Sequence, residues 1–505
     1  MVGSLDGTRM LIALIIGIVI LVFLVLKTKV HAFLAMLIAA LLIGVIGGFP
    51  VVNTDFDGVT LNLVTSIKNG FGNTLGSVGI IIGLGVMMGQ IFEASGAAKT
   101  MAHTFIKIFG KGREEIALAF TGFLVSIPVF CDSGFVVLSP IAKSLSKATK
   151  KSFIGLGVSL AAGLVITHSL VPPTPGPLGV CGIFGIDVGA FLMFTLVLAI
   201  PMAICCILYS KFLAKKYYRI PDDNGNIVEM PYQEPDYSGD LKAADEVLPS
   251  AAASFAPLFV PIILILLDTI TNAVGLTGPA RTAISFIGQP IVALIIGTLL
   301  AIYMLAASRP RDEVIATMEQ GMASAGIILL LTGGGGALGK VIADSGLGNY
   351  LANALANAGI PLVVLPLFIS TLMRFVQGSG TVAMTTAASI SAPIILASGT
   401  TNPVVAAIAC CVGSLFFGYF NDSYFWVVNR TMGVTEAKDQ IRIWSFTSTI
   451  AWAVGVVEVI ILGLLIISAT DQKCRTVHCT NSLNGSIRVR SLRIIIELYT
   501  TFLGH

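Results

Sequence analysis

Residues Ile116 to Leu145 read IALAFTGFLVSIPVFCDSGFVVLSPIAKSL. The run is longer than the roughly 20 residues one spanning helix needs, and Phe130-Cys131-Asp132-Ser133-Gly134 interrupts it with small and polar groups. It reads as two half-helices meeting at a tip, a re-entrant hairpin, because non-helical backbone at membrane depth survives only inside protein or beside water. Pro361 to Leu396 behaves the same way, too long for one helix and broken at Gln377-Gly378-Ser379-Gly380-Thr381. Two ordinary kinked helices are the alternative reading.

The rest of the chain has the composition of a lipid-embedded protein. Of 505 residues, 55% are hydrophobic and 11% charged, where soluble domains carry roughly 25% charge. The mean hydropathy is +0.92. A soluble enzyme is excluded, and a net charge of +3 scattered between apolar runs makes no nucleic-acid footprint. Cys131, Cys181, Cys205, Cys206, Cys410 and Cys411 lie in or beside apolar stretches, where thiols act as small hydrophobes rather than a disulfide framework. Met10 to Leu26 is followed by no small-residue cleavage pattern and almost at once by a second apolar run, so it reads as a membrane helix, not a signal peptide.

Full spans are expected at Leu11 to Leu26, Ala32 to Phe49, Gly76 to Ala94, Phe153 to Val171, Asp187 to Ser210, Ala252 to Thr271, Ala283 to Ala306, Gly321 to Ile342, Pro403 to Phe420 and Trp444 to Ala469. With the amino terminus outside, Lys27, Lys29, Lys107, Lys111, Arg113, the 143–151 lysines, Lys211 to Arg219, Arg309, Arg311, Arg430, Lys438 and Arg442 all fall inside, as the positive-inside rule requires. The tail after Ala469 breaks the pattern. It carries Lys473, Arg475, Arg488, Arg490 and Arg493, and its Cys474, His478 and Cys479 match no zinc spacing.

The chain also reads as duplicated. Gly85, Gly89 and Ser95-Gly96 lay onto Gly335, Gly339 and Ser345-Gly346, and each copy then reaches its hairpin tip, Ser133-Gly134 against Ser379-Gly380. Counting spans, the first hairpin enters from inside and the second from outside, the arrangement of inverted-repeat secondary transporters. The expected fold is thus an all-α polytopic membrane protein, an inverted-repeat secondary transporter with about ten spanning helices and two re-entrant helical hairpins. Its expected parts are scaffold helices in 1–75, a first repeat in 76–212 with hairpin 116–145, and a charged cytoplasmic linker in 213–251. Further scaffold helices follow in 252–306, then a second repeat in 321–469 with hairpin 361–397, and a polar tail in 470–505. Gly334 to Lys340 nearly spells a phosphate loop, but Val341 replaces its Ser or Thr, and the segment reads as a helix break.

Helix starts meeting at the tips present amide groups that favour an anion, such as a small carboxylate. Ionisable residues at that depth are the functional candidates. Asp132 is a proton or hydroxyl partner, or else the N-cap of the second half-helix. His168, in Ile166-Thr-His-Ser-Leu-Val-Pro-Pro-Thr-Pro-Gly-Pro177, has a side chain suited to proton exchange, and the prolines after it end the span. Arg374 carries the one positive charge between Lys340 and Arg430 and matches a carboxylate bidentately, unless it snorkels to the interface. Asn421, Asp422 and Ser423 interrupt the Pro403 to Val428 run opposite the first set, and Trp426 reads as an interfacial aromatic.

Four blocks, Ile127-Pro-Val-Phe-Cys-Asp-Ser-Gly-Phe-Val-Val-Leu138, Thr167-His-Ser-Leu-Val-Pro-Pro-Thr-Pro-Gly-Pro177, Gly378-Ser-Gly-Thr-Val-Ala-Met-Thr-Thr-Ala-Ala388 and Asn421-Asp-Ser-Tyr-Phe-Trp426, together resemble the gluconate:proton symporter (gluconate permease) family from about Leu11 to Ala469. The resemblance implies a multi-pass permease of the bacterial inner (cytoplasmic) membrane that imports gluconate or a related sugar acid by proton symport, some relatives carrying D-serine. It implies no enzyme activity and no cofactor. Thr174 stands where gluconate carriers often have histidine.

The expected substrate contacts are Asp132, Ser133, Gly134, Thr167, His168, Thr174, Arg374, Gly378, Ser379, Gly380, Thr381, Asn421, Asp422 and Ser423, with His168 or Asp132 carrying the proton. No metal site is expected. The partners are a small carboxylate, the proton and the lipid bilayer, with a homodimer as the frame against which one part moves. Sodium coupling is the rival, since unwound carbonyls and hydroxyls also hold that ion. A channel is less well supported, and no nucleophile and base are found together.

Overall fold

The computed structural model describes residues 7–56, 59–222, 227–235, 248–345, 347, 350, 361–399, 401–419 and 422–477. Its helices are α1 (Gly7–Lys27), α2 (Ala32–Gly47), α3 (Leu63–Ser95), α4 (Ala97–Phe109), α5 (Glu114–Val125), α6 (Cys131–Thr149), α7 (Phe153–Leu170), α8 (Pro175–Phe184) and α9 (Val188–Lys216). There follow α10 (Ala251–Ala273), α11 (Pro279–Ile287), α12 (Pro290–Leu305), α13 (Arg311–Asp344), α14 (Val364–Gln377), α15 (Gly380–Ser398), α16 (Pro403–Gly413) and α17 (Ser423–Thr431). Last come α18 (Ala437–Gln440), a π turn (Ile441–Ser445) and α19 (Phe446–Val477).

Among the described residues the expectation of an all-α chain holds apart from two pairs of three-residue strands in connecting segments. Strand β1 (Thr54–Phe56) pairs with β2 (Val59–Leu61), and β3 (Arg219–Pro221) with β4 (Ile227–Glu229), both antiparallel. Among the described residues seven helices are long and apolar enough to cross a membrane, or eight if α11 and α12, bent by 62°, count as one span. The expected tally of ten included Pro403 to Phe420, but α16 stops at Gly413 after 11 residues. Ser414 closes it, donating its hydroxyl to the Cys411 carbonyl at 2.7 Å, and Phe417 then takes a positive φ of 31° that no helix continues.

Other helices outrun their predicted bounds. Asn62 caps α3 by accepting the Val64 N–H at 2.9 Å, so the helix begins well before Gly76. The linker expected from residue 213 begins with the last turn of α9.

The break expected at Gly334 to Lys340 is absent: α13 runs through it unbroken. The glycines there serve helix contact instead. The long helices α3 and α13 pack along each other, and a Cβ on Gly336 would lie 2.6 Å from the Gly70 carbonyl oxygen and 2.7 Å from Thr74 Cβ. Backbone meets backbone at this crossing, which a side chain would force apart.

The element order repeats. Helices α5, α6, α7 and α8 start at Glu114, Cys131, Phe153 and Pro175, and α14, α15, α16 and α17 start at Val364, Gly380, Pro403 and Ser423, each about 250 residues later in keeping with a duplicated chain. Each set is a helix pair broken at a tip, followed by a second broken pair. Within the sets α5 packs on α7 and α14 on α16; across them α8 lies against α15 and α17 against α6. The core is densest at α7, where Leu156, Leu160, Leu164 and Ile166 have no exposed surface.

Candidate functional site

The tip of the first hairpin lies one turn earlier than its sequence suggests. Residues 126–130 form the break, and Cys131 to Gly134 are already helical, with the Gly134 N–H donating to the Phe130 carbonyl at 2.8 Å. Pro128 lacks the amide to continue α5. Asp132 therefore does not cap α6, whose N-cap is Phe130. In the second hairpin Gly378, at φ 81°, turns the chain between α14 and Ser379, which caps α15 by accepting the Val382 N–H at 3.4 Å. Only Gly takes that φ without cost.

The second breaks lie beside these tips. After Leu170, Pro172 and Pro173 end α7, and Thr174 folds back to donate its hydroxyl to the Val171 carbonyl at 2.6 Å. After α16, Asp422 caps α17, its Oδ1 accepting the Tyr424 N–H at 3.2 Å. Four helix starts thus meet in two pairs, α6 with α17 and α8 with α15, each pair drawing one helix from each repeat. Their amide ends carry partial positive charge.

At the α6–α17 pair the charged residues converge. Ser423 Oγ donates to Asp132 Oδ2 at 3.2 Å. Arg374, 5% exposed in the last turn of α14, donates from Nη2 to Asp422 Oδ2 at 2.6 Å and from Nη1 to the Gly378 carbonyl. Buried and bonded within the protein, the guanidinium does not reach along the surface as snorkelling would have it do. Asp422, expected to meet a substrate hydroxyl, instead holds the guanidinium. Asp132 lies in the electrostatic reach of both partners, and His168 in that of Arg374. The His168 ring stands 5.9 Å from the ring of Phe130. Val86, Ser126, Pro128, Phe130, His168 and Thr174 line a cavity that opens beside it.

Several buried polar atoms here have no partner among the described residues: Arg374 Nε, Asp132 Oδ1, His168 Nδ1, Thr167 Oγ1 and Trp444 Nε1. Buried polar groups are nearly always paired, so the unpaired atoms of Arg374, Asp132, His168 and Trp444, which lie around one point, are open to a ligand's polar atoms. Other predicted contacts are otherwise engaged. Ser133 hydrogen-bonds Glu93, Thr174 is turned to Val171, and a Cβ on Gly134 would strike Leu164 at 2.7 Å. Thr381 and Gly380 sit at the α8–α15 pair, Thr381 Oγ1 being 3.5 Å from where Gly176 would carry a Cβ. Asn421 lies outside the described residues.

Two contributors carried no signal in the sequence. The π turn at Ile441–Ser445 widens the helix and carries the fully buried Trp444. Gly418 is held from both sides, its N–H donating to Ser448 Oγ at 2.9 Å and its carbonyl accepting Ser445 Oγ at 2.6 Å. A Cβ on Gly418 would lie 3.0 Å from both Arg374 Nη2 and Asp422 Oδ2 and 3.1 Å from Trp444 Nε1. Among the described residues no group of three or more His, Cys, Asp or Glu side chains is placed to hold a metal ion.

Broken helix pairs meeting around a buried, polar, partly unpaired cluster are an arrangement found in membrane transporters. The comparisons make the class specific: residues 9–465 match the family model described as GntP family permease, and the chain belongs to that family. It is 47% identical over 462 residues, 90% of this chain and 92% of the relative, to an uncharacterized permease of Haemophilus influenzae. It is 32% identical to the gluconate permease of Pseudomonas aeruginosa, covering 92% of this chain and all of that one. The fold is that of the YdaH transporter of Alcanivorax borkumensis, with a TM-score of 0.61 at 17% identity over 90% of this chain and 98% of that one. The chain is therefore a multi-pass permease of the kind bacteria keep in the inner membrane.

Proposed function

We propose that this permease imports a small hydroxylated carboxylate, gluconate or a related sugar acid, together with a proton. The supporting observation is the set of buried, unpartnered polar atoms on Arg374, Asp132, His168, Thr167 and Trp444. It combines donors for a carboxylate with acceptors for hydroxyls. In this reading Arg374 and the tip amides at Gly378 to Thr381 hold the carboxylate, Asp132 and Ser423 meet hydroxyl groups, and Asp132 and His168 carry the proton in. The gluconate permease among the relatives favours the sugar-acid class.

Energetics favour coupling. Moving a monoanion into a negative cell costs about 2.3 kcal/mol per 100 mV, and each accompanying proton cancels one such charge. The two hairpins enter the membrane from opposite sides and alternate access around the cluster. The helices of 1–75 and 252–306 form the frame of a homodimer.

Labelled gluconate in proteoliposomes under an inward proton gradient, without sodium, tests the reading, with other sugar acids and D-serine as competitors. Accumulation is expected, and Arg374→Ala is expected to abolish it while leaving membrane insertion intact. Accumulation that requires sodium would replace the proton as coupling ion, and none with either ion would overturn the substrate class.

A further inference from the structure

The guanidinium of Arg374 has a defined set of free and taken positions. Nη1 is held by the Gly378 carbonyl, Nη2 by Asp422 Oδ2, and Nε is buried with no partner among the described residues. A carboxylate gripping the side of the fork bidentately takes Nε and Nη2 together. Nε–H is unpaired, and Asp422 takes one of the two Nη2 hydrogens. A substrate carboxylate on Nε and Nη2 therefore shares Nη2 with Asp422, and two ionised carboxylates then repel across one nitrogen unless Asp422 yields or is protonated.

Charge leads to the same place. The cluster holds one guanidinium and two carboxylates, Asp132 and Asp422, with His168, Cys131 and Tyr424 as the other titratable groups facing it from α7, α6 and α17 among the described residues. With both carboxylates ionised the site is already one charge negative, and an incoming monoanion would make it two. Uncompensated buried charge costs several kcal/mol per ion. A proton on the displaced carboxylate restores the balance.

From this geometry we infer that Asp422 is an internal occupant of the carboxylate subsite, displaced from Arg374 by the substrate and holding the coupled proton while the substrate is bound. The inference rests on the carboxylate reading above and adds to it the residue where the proton comes to rest. The proton binds a carboxylate oxygen of Asp422. Its ion pair with Nη2 breaks as the substrate's forms. Trp444 Nε1, unpartnered and on the same point as Asp422 Oδ2 and Arg374 Nη2, is the donor next to the released carboxyl. On release of substrate the proton leaves and Asp422 returns to Arg374.

Calorimetric titration of the purified full chain with gluconate, in buffers of different ionisation enthalpy, reads the protons taken up per ligand bound. One proton per gluconate is expected for the wild type, with affinity falling tenfold per pH unit on the alkaline side, the slope of a single linked proton. Asp422→Asn, checked for monodisperse elution, is expected to take up none and to bind with a flat pH profile, tighter than wild type at the alkaline end. Asp422→Glu is expected to restore the uptake. Gluconate binding by the wild type without proton uptake, or an unchanged slope in Asp422→Asn, would overturn the assignment while leaving the carboxylate reading standing. Failure of wild type and variants alike to bind gluconate or any other monocarboxylate would overturn both.

Discussion

At the scale of single residues, Gly418 is the most sharply constrained position. Its backbone is clamped by Ser445 and Ser448, and its open side faces Arg374, Asp422 and Trp444 at 3.0–3.1 Å from a Cβ position, so close that a methyl group there obliges them to give way. Gly418→Ala is expected to reach the membrane in normal amount but to lose most uptake, at least tenfold, since the Arg374–Asp422 pair must shift by several tenths of an ångström and geometric errors of that order carry such costs. Western quantification alongside initial uptake rates checks this. The charged members of the cluster were legible because an Asp or Arg inside an apolar run has few bland explanations. Trp444 and Gly418 were not, because aromatic and small residues are ordinary in spanning helices and only the π turn and the chain reversal at 414–419 bring them to Arg374.

At the scale of elements, the base of the first hairpin is fastened by a buried triad. Lys151, between α6 and α7, contacts Glu115 Oε2 at 2.7 Å and Glu114 Oε2 at 2.8 Å, and donates to the Gly112 carbonyl at 3.3 Å. The two glutamates occupy the first turn of α5, where the helix end favours negative charge. Burial alone pushes the Lys151 ammonium down, but the hydrogen bonds and charges of Glu114 and Glu115 outweigh it, so its pKa stands above the ordinary 10.5. A lysine raised on folding contributes stability that is fully present below the unfolded value and lost as pH climbs through the folded one. The apparent unfolding temperature in detergent is therefore expected to hold through neutral pH and to fall above about 10.5, the ordinary value of a lysine. Lys151→Met leaves two carboxylates buried against each other and is expected to lower it at all neutral pH values, by the equivalent of about 3–5 kcal/mol; Glu114→Gln with Glu115→Gln should restore part of the loss. Sequence alone placed the helix breaks near Asp132 and Ser379 to within a turn, because length and polarity are counted along the chain. It misjudged Pro403 to Phe420 and Gly334 to Lys340, because hydropathy registers neither the turn at Phe417 nor a neighbouring helix that needs glycine to approach.

At the scale of the whole molecule, the family match ends at residue 465, and the polar tail, with Cys474, His478 and Cys479, falls beyond it. Removing 478–505 is expected to leave gluconate uptake unchanged, which uptake by the shortened chain in proteoliposomes checks. Glycine and Ser-Gly spacing led to the expectation of a duplication, and the element order repeats in step with it; that α17 packs on α6 and α8 on α15 was not legible. Spacing along a chain says which parts are alike, and only packing says which parts trade partners.

That trade sets a schedule for biogenesis. Asp132 is separated from Ser423 by 291 residues, and translation at about 5–20 residues per second leaves roughly 15–60 s between their emergence. Throughout that interval the tip of the first hairpin carries a carboxylate whose hydroxyl donor has not yet been synthesised. The nascent amino-terminal half is consequently the stage at which the insertion machinery must keep this segment shielded, and a ribosome stalled before Ser423 would hold it there.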